Sequence, residues 1–298
     1  MKGIDISAYQ DGVDFAKVKA SGIDVVYIKA TEGTSYINPL LTTQYQGAKA
    51  AGLKVGFYHF FRAKDEVNAR QQAQHFVGTI CGMAFDCRLV LDLETNEGVA
   101  KPALSTVAKA FLEEVKALTG ATPVVYTYVS FISEALDSTL GIYPLWIAYY
   151  GSDPPGSNPI WESWIGWQYS STGKVSGING DVDLDTFTSD ILATAVIIIA
   201  GGTTLFGQLI NGRTWGPIAA ICKATGIAYT WDSAKHIMCL AGASDANVAA
   251  ASGVQVVAGT QVIAGQLLGG STWAPVAPVL KALGISYTWD ASTRTLKF

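Results

Sequence analysis

An α/β chain, consisting of an irregular (β/α) TIM-like barrel followed by a small α+β domain built from two repeats, is the architecture that three features of this sequence predict. Up to about residue 187, short apolar runs alternate with helical patterns, the rhythm of strands joined by crossover helices. Acidic residues stand at the ends of several of those strands. After residue 195 the character changes, and a block of sequence recurs at an offset of 58 residues.

Eight strands are predicted in the first part, at 3–7, 25–30, 54–60, 89–94, 123–128, 144–150, 165–170 and 181–185, with helices at 14–20, 39–51, 65–80 and 102–119. The connections 151–164 and 171–180 are rich in Gly, Ser and Pro and too short or broken for full helices, so the barrel is expected to be irregular. In the second part Gly207-Gln208-Leu209 recurs as Gly265-Gln266-Leu267, and Tyr229-Thr230-Trp231-Asp232 as Tyr287-Thr288-Trp289-Asp290. Between these anchors Thr214-Trp215, Pro217 and Lys223-Ala224 match Thr272-Trp273, Pro275 and Lys281-Ala282. Copies at 196–240 and 254–298 follow, each a strand or hairpin, a short helix and a final hairpin. Each is too small to bury a core alone, so the two are expected to pack on each other across the Ala/Ser/Gly-rich linker 241–253. The domain boundary is expected at 190/191.

The 298 residues are 49% hydrophobic, enough for a sizeable core, and 20 basic residues stand against 24 acidic ones. That balance lacks the basic footprint of a nucleic-acid binder. The longest aliphatic run, Val196-Ile197-Ile198-Ile199-Ala200, is far too short to cross a bilayer. Met1-Lys2-Gly3-Ile4-Asp5-Ile6-Ser7 reads as a first strand without the apolar core or cleavage site of a secretory signal, so synthesis in the cytoplasm is expected. Four cysteines, Cys81, Cys87, Cys222 and Cys239, are too few for a disulfide scaffold and lack zinc-site spacing; unpaired thiols, no metal and no cofactor are expected.

The candidate chemistry lies in Leu89-Val90-Leu91-Asp92-Leu93-Glu94. Side chains alternate along a strand, so Asp92 and Glu94 share a face about 7 Å apart. Asp5 ends the first strand and Asp183 lies on the eighth, and strands one and eight are neighbours in a closed barrel. The four carboxylates therefore converge at its mouth. Repulsion and burial keep at least one of them protonated; Glu94, outermost and longest, is the expected general acid, with Asp92 ionised to stabilise positive charge. Taken singly, Asp5 and Asp183 also suit turns or caps, and Glu94 suits an ion pair with Lys29 or Arg62. Asp181 and Asp185 share the face of Asp183 by period two, and spacing does not choose among the three. Aromatics crowd the strand ends as well, at Tyr58, Tyr126, Tyr128, Trp146, Tyr149, Trp167 and Tyr169, as sugar-stacking platforms or as core. His59 is expected to be a satisfied strand histidine.

The ordered motifs Gly3-Ile4-Asp5-Ile6-Ser7 with Tyr9-Gln10, Tyr27-Ile28-Lys29-Ala30-Thr31-Glu32-Gly33, Gly56-Phe57-Tyr58-His59-Phe60, Leu91-Asp92-Leu93-Glu94, Trp146-Ile147-Ala148-Tyr149, Trp167-Gln168-Tyr169-Ser170 and Val182-Asp183-Leu184-Asp185 resemble glycoside hydrolase family 25 over about residues 1–187. The resemblance implies an N-acetylmuramidase of the phage endolysin type, cleaving the β-1,4 bond between N-acetylmuramic acid and N-acetylglucosamine in peptidoglycan. It implies Glu94 as proton donor, with Asp5, Asp92 and Asp183 as the other acids, which selects Asp183 over its neighbours. Tyr58, Tyr126, Trp146, Tyr149, Gln168 and Lys29 are the substrate-binding candidates. Whether the substrate's acetamido group or a water attacks is left open.

The repeats resemble, more weakly, the small repeat of copper amine oxidase N-terminal domains, although the single histidine His236 offers no copper cluster. Docking on a wall polymer and self-association into a homo-oligomer compete for their role, with Trp215 and Trp273 as surface or core residues. A wall-binding protein on an inactive barrel and a glycosidase acting on chitin are the alternatives for the whole chain.

Overall fold

In the computed structural model, residues 1–193, 195–244, 248, 253–268 and 270–298 are described; most of the linker 241–253 lies outside them. The chain divides into two compact units. The first comprises Met1–Ile80, Phe85–Val115 and Ala121–Ala193; the second comprises Thr194–Phe298 with Cys81–Ala84 and Lys116–Gly120.

The first unit is a closed eight-stranded barrel. Its elements are β1 (Lys2–Ile6), α1 (Phe15–Ala20), β2 (Val25–Glu32), a short β3 (Tyr36–Ile37), α2 (Leu41–Ala50), β4 (Lys54–Phe60), α3 (Glu66–Thr79), β5 (Val90–Asp92), α4 (Ala103–Thr119), β6 (Val124–Tyr128), α5 (Val129–Ala135), β7 (Leu145–Ala148), β8 (Gly166–Gly173) and β9 (Val182–Phe187). Seven barrel strands, β1, β2, β4, β5, β6, β7 and β8, run parallel in that order, and β9 closes the ring between β8 and β1. β3 is an outlying hairpin partner of β2.

The closing strand runs antiparallel to both neighbours. A parallel return needs a crossover of a dozen or more residues, and residues 174–181 are too few to make one. The helix α5 was not expected from the sequence; its seven residues, Val129-Ser130-Phe131-Ile132-Ser133-Glu134-Ala135, follow β6 without a loop or a capping side chain and are too short for a clear period. By contrast, α3 carries its start signal, since Asp65 accepts the amide of Asn68.

The barrel interior below the mouth is filled by rings. Tyr27, Trp146 and Phe187 pack on one another with centroids 4.8 to 5.4 Å apart. They fit because Gly3, Gly56 and Gly166 face them: a Cβ there would come within 2.3, 2.2 and 2.8 Å of Phe187, Tyr27 and Trp146 respectively. This plug is the floor on which the polar mouth rests.

The second unit is a ten-stranded sheet with two short helices. The first copy supplies β10 (Ala195–Ala200), β11 (Thr203–Ile210), β12 (Arg213–Pro217), α6 (Ile218–Thr225), β13 (Tyr229–Asp232) and β14 (Ile237–Leu240). The second supplies β15 (Val254–Ala258), β16 (Gln261–Leu268), β17 (Ser271–Pro275), α7 (Val276–Ala282), β18 (Thr288–Asp290) and β19 (Thr295–Lys297). The copies exchange their last hairpins: β14 pairs in parallel with β15 of the second copy, and β19 with β10 of the first, in the same relative register. They meet centrally where β12 and β17 pair antiparallel through Gly216 and Ala274. One core holds Ile198, Ile218 and Met238 from one copy with Val256, Val279 and Leu296 from the other. Trp273 is fully buried and Trp215 half-buried, because their strands lie at the sheet centre; neither is the open surface aromatic considered above.

Candidate active site

The mouth of the barrel gathers the acids. Asp5 lies near the end of β1. The strand β5 stops at Asp92, and the amide of Leu93 bonds Tyr126 O at 2.9 Å, which carries Glu94 beyond the last ladder position. Because β9 runs backwards, its first residues, not its last, lie at this end, and Asp183 falls in register with Asp5. A cleft of about 260 Å³ is lined by Asp5, Asp92, Glu94 and Asp183 together with Lys29, Tyr58, Tyr126 and Gln168. Tyr9, Phe60 and Tyr150 join them, and Trp146 forms part of the base.

The carboxyls form a graded series in depth. Asp185, two residues beyond Asp183 on the same face, is fully buried below the cleft, and its Oδ1 accepts the Trp146 indole N–H at 3.1 Å. Burial, then the charges of Asp5 and Asp183, push its carboxyl well above the usual range. Asp5, 8% exposed, is raised likewise by burial first and by Asp183 next, against the amide of Gln168, which donates to its Oδ2 at 2.8 Å. Asp183, at the open end, is raised to about 6 by burial, while a hydrogen bond from Asp5 lowers it. Burial thus favours the protonated form of all three. Asp181 is exposed and ion-paired with Lys174 at 2.6 Å. Tertiary structure thus sorts the three period-two acids into loop, cleft and floor.

The surroundings of Asp92 work against the ionised form expected for it. It is 5% exposed and its carboxyl is raised well above the usual range, by burial first, then by the charge of Glu94 and a hydrogen bond shared with Glu94. The buried Asp92 Oδ1 and Asp185 Oδ2 meet no ordinary donor among the described residues. Protonation of Asp92 or Asp185 would supply the missing bond, to Glu94 and to Asp5 respectively.

The nearby cations are engaged elsewhere. Lys29 Nζ lies 2.7 Å from Glu32, and Arg62 binds Glu32 at 2.9 Å and Glu97 at 2.8 Å. Both flank the Phe60 ring, at 4.8 and 4.5 Å. Glu94 forms no ion pair among the described residues, so the ion-pair alternative for it does not hold. Lys29 still faces the cleft, and its charge lowers Asp92.

Gln168, 3% exposed, connects the aromatic wall to the acids. Its Oε1 accepts the hydroxyls of Tyr126 at 3.0 Å and Tyr150 at 3.1 Å, which orients its amide N–H₂ toward Asp5. Tyr58 lines the cleft, and burial with four surrounding acids pushes its phenol well up, so it stays a neutral donor. Trp146 is only 2% exposed, with both its ring and its N–H taken by Tyr27, Phe187 and Asp185; it supports the cleft and offers no free stacking face. Tyr149 lies outside the central cleft, in an adjoining groove of about 500 Å³ that shares Glu94, Tyr126 and Tyr150 with it. Counting by twos from Trp146 reaches Tyr150, not Tyr149; that signal was in the sequence, as was the step from Asp183 to Asp185. His59 is fully buried, its ring nitrogens against Thr31 Oγ1 and Gln72 Oε1 at 2.7 and 3.0 Å, and burial lowers it to about 3.

The sequence profile of glycosyl hydrolases family 25 matches residues 4–178, all but the end of the barrel. The chain belongs to this family. It is 44% identical over 202 residues to the autolytic lysozyme of Clostridium acetobutylicum, covering 68% of this chain and 60% of that protein. With lysozyme M1 of Streptomyces globisporus it shares 33% identity over 215 residues, 68% of this chain and 72% of the relative. The solved CTP1L endolysin superposes with a TM-score of 0.57 at 32% identity, over 64% of this chain and 67% of that one. The chain spans three fifths of the length of the Clostridium relative, and these matches leave about a third of the present chain outside them. A family 25 barrel is a glycoside hydrolase fold; Asp5, Asp92 and Glu94 lie within the matched residues, and Asp183 lies just beyond them on the closing strand.

Proposed function

We propose that the chain is a muramidase that hydrolyses the β-1,4 bond between N-acetylmuramic acid and N-acetylglucosamine in bacterial peptidoglycan. The observation that carries this reading is the convergence of Asp5, Asp92, Glu94 and Asp183 in one cleft of a family 25 barrel. Relatives named lysozyme, autolytic lysozyme and endolysin support it. Glu94 protonates the glycosidic oxygen, with the carboxyl of Asp92 beside it. As the bond breaks, positive charge grows at the sugar carbon, and the carboxylates at the mouth stabilise it. Tyr58 donates a hydrogen bond to the sugar, Tyr126 offers its hydroxyl oxygen as an acceptor, Gln168 donates the amide hydrogen that Asp5 does not take, Lys29 meets the sugar's acidic substituents, and Tyr149 contacts it along the adjoining groove.

The protein acts on the wall as an endolysin-type enzyme, and the second unit docks it there. Among the described residues no helix is long and apolar enough to cross a membrane. The test is mass spectrometry of digested peptidoglycan. New reducing ends on muramic acid, lost in Glu94→Gln, are expected. Reducing N-acetylglucosamine ends, or hydrolysis only of chitin with release of chitooligosaccharides, would replace the assignment.

A further inference from the structure

Tyr229 and Trp231, on β13, are 43% and 36% exposed; their counterparts Tyr287 and Trp289, at β18, are each 42% exposed. β13 and β18 are the two outermost strands of the ten-stranded sheet, so the same Tyr-Thr-Trp-Asp is displayed at both edges. Between the copies, buried positions have drifted, Cys222 to Leu280 and Met238 to Leu296, whereas this exposed tetrapeptide is identical. Packing explains why a buried residue persists, but not an exposed Tyr and Trp. The Asp of each tetrapeptide has a local task, since Asp232 and Asp290 accept the amides of their own hairpin turns. The aromatics have no such task.

A base accompanies each pair. His236 and Arg294 occupy equivalent turn positions, with left-handed backbone at φ 55° and 51°, and the His236 ring stacks toward Trp231 at 6.2 Å. A cavity of about 370 Å³ opens beside Trp231, lined also by Thr230, Asp232 and Lys235. The charge follows the same division: residues 196–298 contain six Lys and Arg against three Asp, while residues 1–193 contain 14 against 21 acids. Flat aromatic faces on hairpins whose turns each carry a base, on a net-positive unit, fit sugar rings that carry carboxylates.

We infer that the two edge hairpins are equivalent binding sites for the peptidoglycan strand itself, stacking on its sugars through Trp231 and Trp289 and meeting its carboxylates through His236 and Arg294. The inference rests on the wall-hydrolase reading above. Two like sites on one unit suit a repeating polymer, because the second contact forms at high effective concentration once the first is made.

The test is pelleting of the full chain, carrying Glu94→Gln, with purified sacculi from which accessory wall polymers have been stripped by acid. Trp231→Ala and Trp289→Ala are each expected to weaken binding by about tenfold, and together by roughly a hundredfold or more. Trp→Phe at both positions, which keeps a flat face, should retain most of it, and circular dichroism should be unchanged throughout. An undiminished isotherm for the double Ala variant overturns the inference. So does binding that requires the accessory polymers, or a dimer in light scattering that the double variant dissolves while pelleting is unaltered. A chain that pellets through these tryptophans yet, with Glu94 restored, releases no muramic acid ends leaves the sites standing and removes the hydrolase reading instead.

Discussion

Asp5 near the end of β1 and Asp183 near the start of β9 are direct register partners across an antiparallel pair, and each shifts the other's carboxyl, Asp183 raising Asp5 and Asp5 lowering Asp183. The reversal of one strand is what makes this contact. Were β9 parallel, its first residues would lie at the opposite end of the barrel. The proposed site is therefore a property of barrel closure as much as of its acids.

Replacing Glu94 by Gln keeps the size of the side chain and removes its acidity. Hydrolysis should fall by about 10²- to 10⁴-fold, measured as reducing ends released from purified walls, with the circular dichroism spectrum unchanged. Activity within tenfold of the wild type would remove Glu94 from the role of proton donor.

Asp183 has a definite pH signature. Its folded value of about 6 lies above the ordinary carboxyl value of 3.8, so folding favours its protonated form. That stabilisation is fully present below about pH 4 and is lost as the pH rises through 6. Asp183→Asn cannot ionise, so its melting temperature should match the wild type at low pH and exceed it increasingly between pH 4 and 6. A gain on the order of 2–4 °C is expected at pH 7, the shift of about 1 kcal/mol in a unit of this size. A pH-independent difference would contradict the assignment.

Asp185 lies between the Trp146 N–H and Asp5, and burial with the neighbouring acids favours its neutral form. Asn offers both an acceptor and a donor at the same size, so Asp185→Asn should retain activity within a few-fold and raise the melting temperature at pH 7. Asp185→Leu leaves the buried indole N–H without its acceptor and should cost about 1–3 kcal/mol in denaturant melts. Loss of activity in Asp185→Asn as complete as in Glu94→Gln would show that a charged Asp185 is needed.

Gln168→Leu removes the acceptor of Tyr126 and Tyr150 and the donor to Asp5 in one change. A loss of about 10- to 100-fold in kcat/KM is expected, with the acid limb of the pH profile moved upward because Asp5 loses a bond that lowers it. A shape-retaining pH profile would argue that Gln168 only fills space.

The exchanged hairpins make a prediction of a different kind. The Ile197 amide donates to Arg294 O at 2.9 Å, and the Phe298 amide donates to Ile199 O at 3.0 Å. Deleting 286–298 should therefore abolish hydrogen-exchange protection at Ile197, far away in sequence on the first copy. Persistent protection there would show that the copies fold separately.

The eight barrel strands and the helices α1 to α4 were legible because they declare themselves locally, by apolar runs and by caps such as Asp65 before α3, whereas α5 and the two-residue β3 carry no such signal. The duplication was legible because two copies of one sequence can be aligned by inspection, and β11 and β16 lie at the predicted offset residue for residue. Asp92 and Glu94 were conspicuous because an apolar strand has no packing use for them. The depth of Asp185, the covered ring of Trp146 and the displaced Tyr149 were not legible, since a period of two assigns a face but says nothing of how far a residue lies along the barrel axis.

By itself, then, the sequence determined the barrel's succession of strands, the identity of its acids and the existence of a duplicated unit, all of which follow from short-range pattern. Tertiary structure alone decided the reversed direction of β9, the depth of the carboxyls from Asp183 to Asp185, the burial of Asp92 and the exposure of Trp231 and Trp289 in place of Trp215 and Trp273. Strand direction, depth and burial are set by what residues far apart in the chain do to one another once they meet, and no local pattern contains that sum.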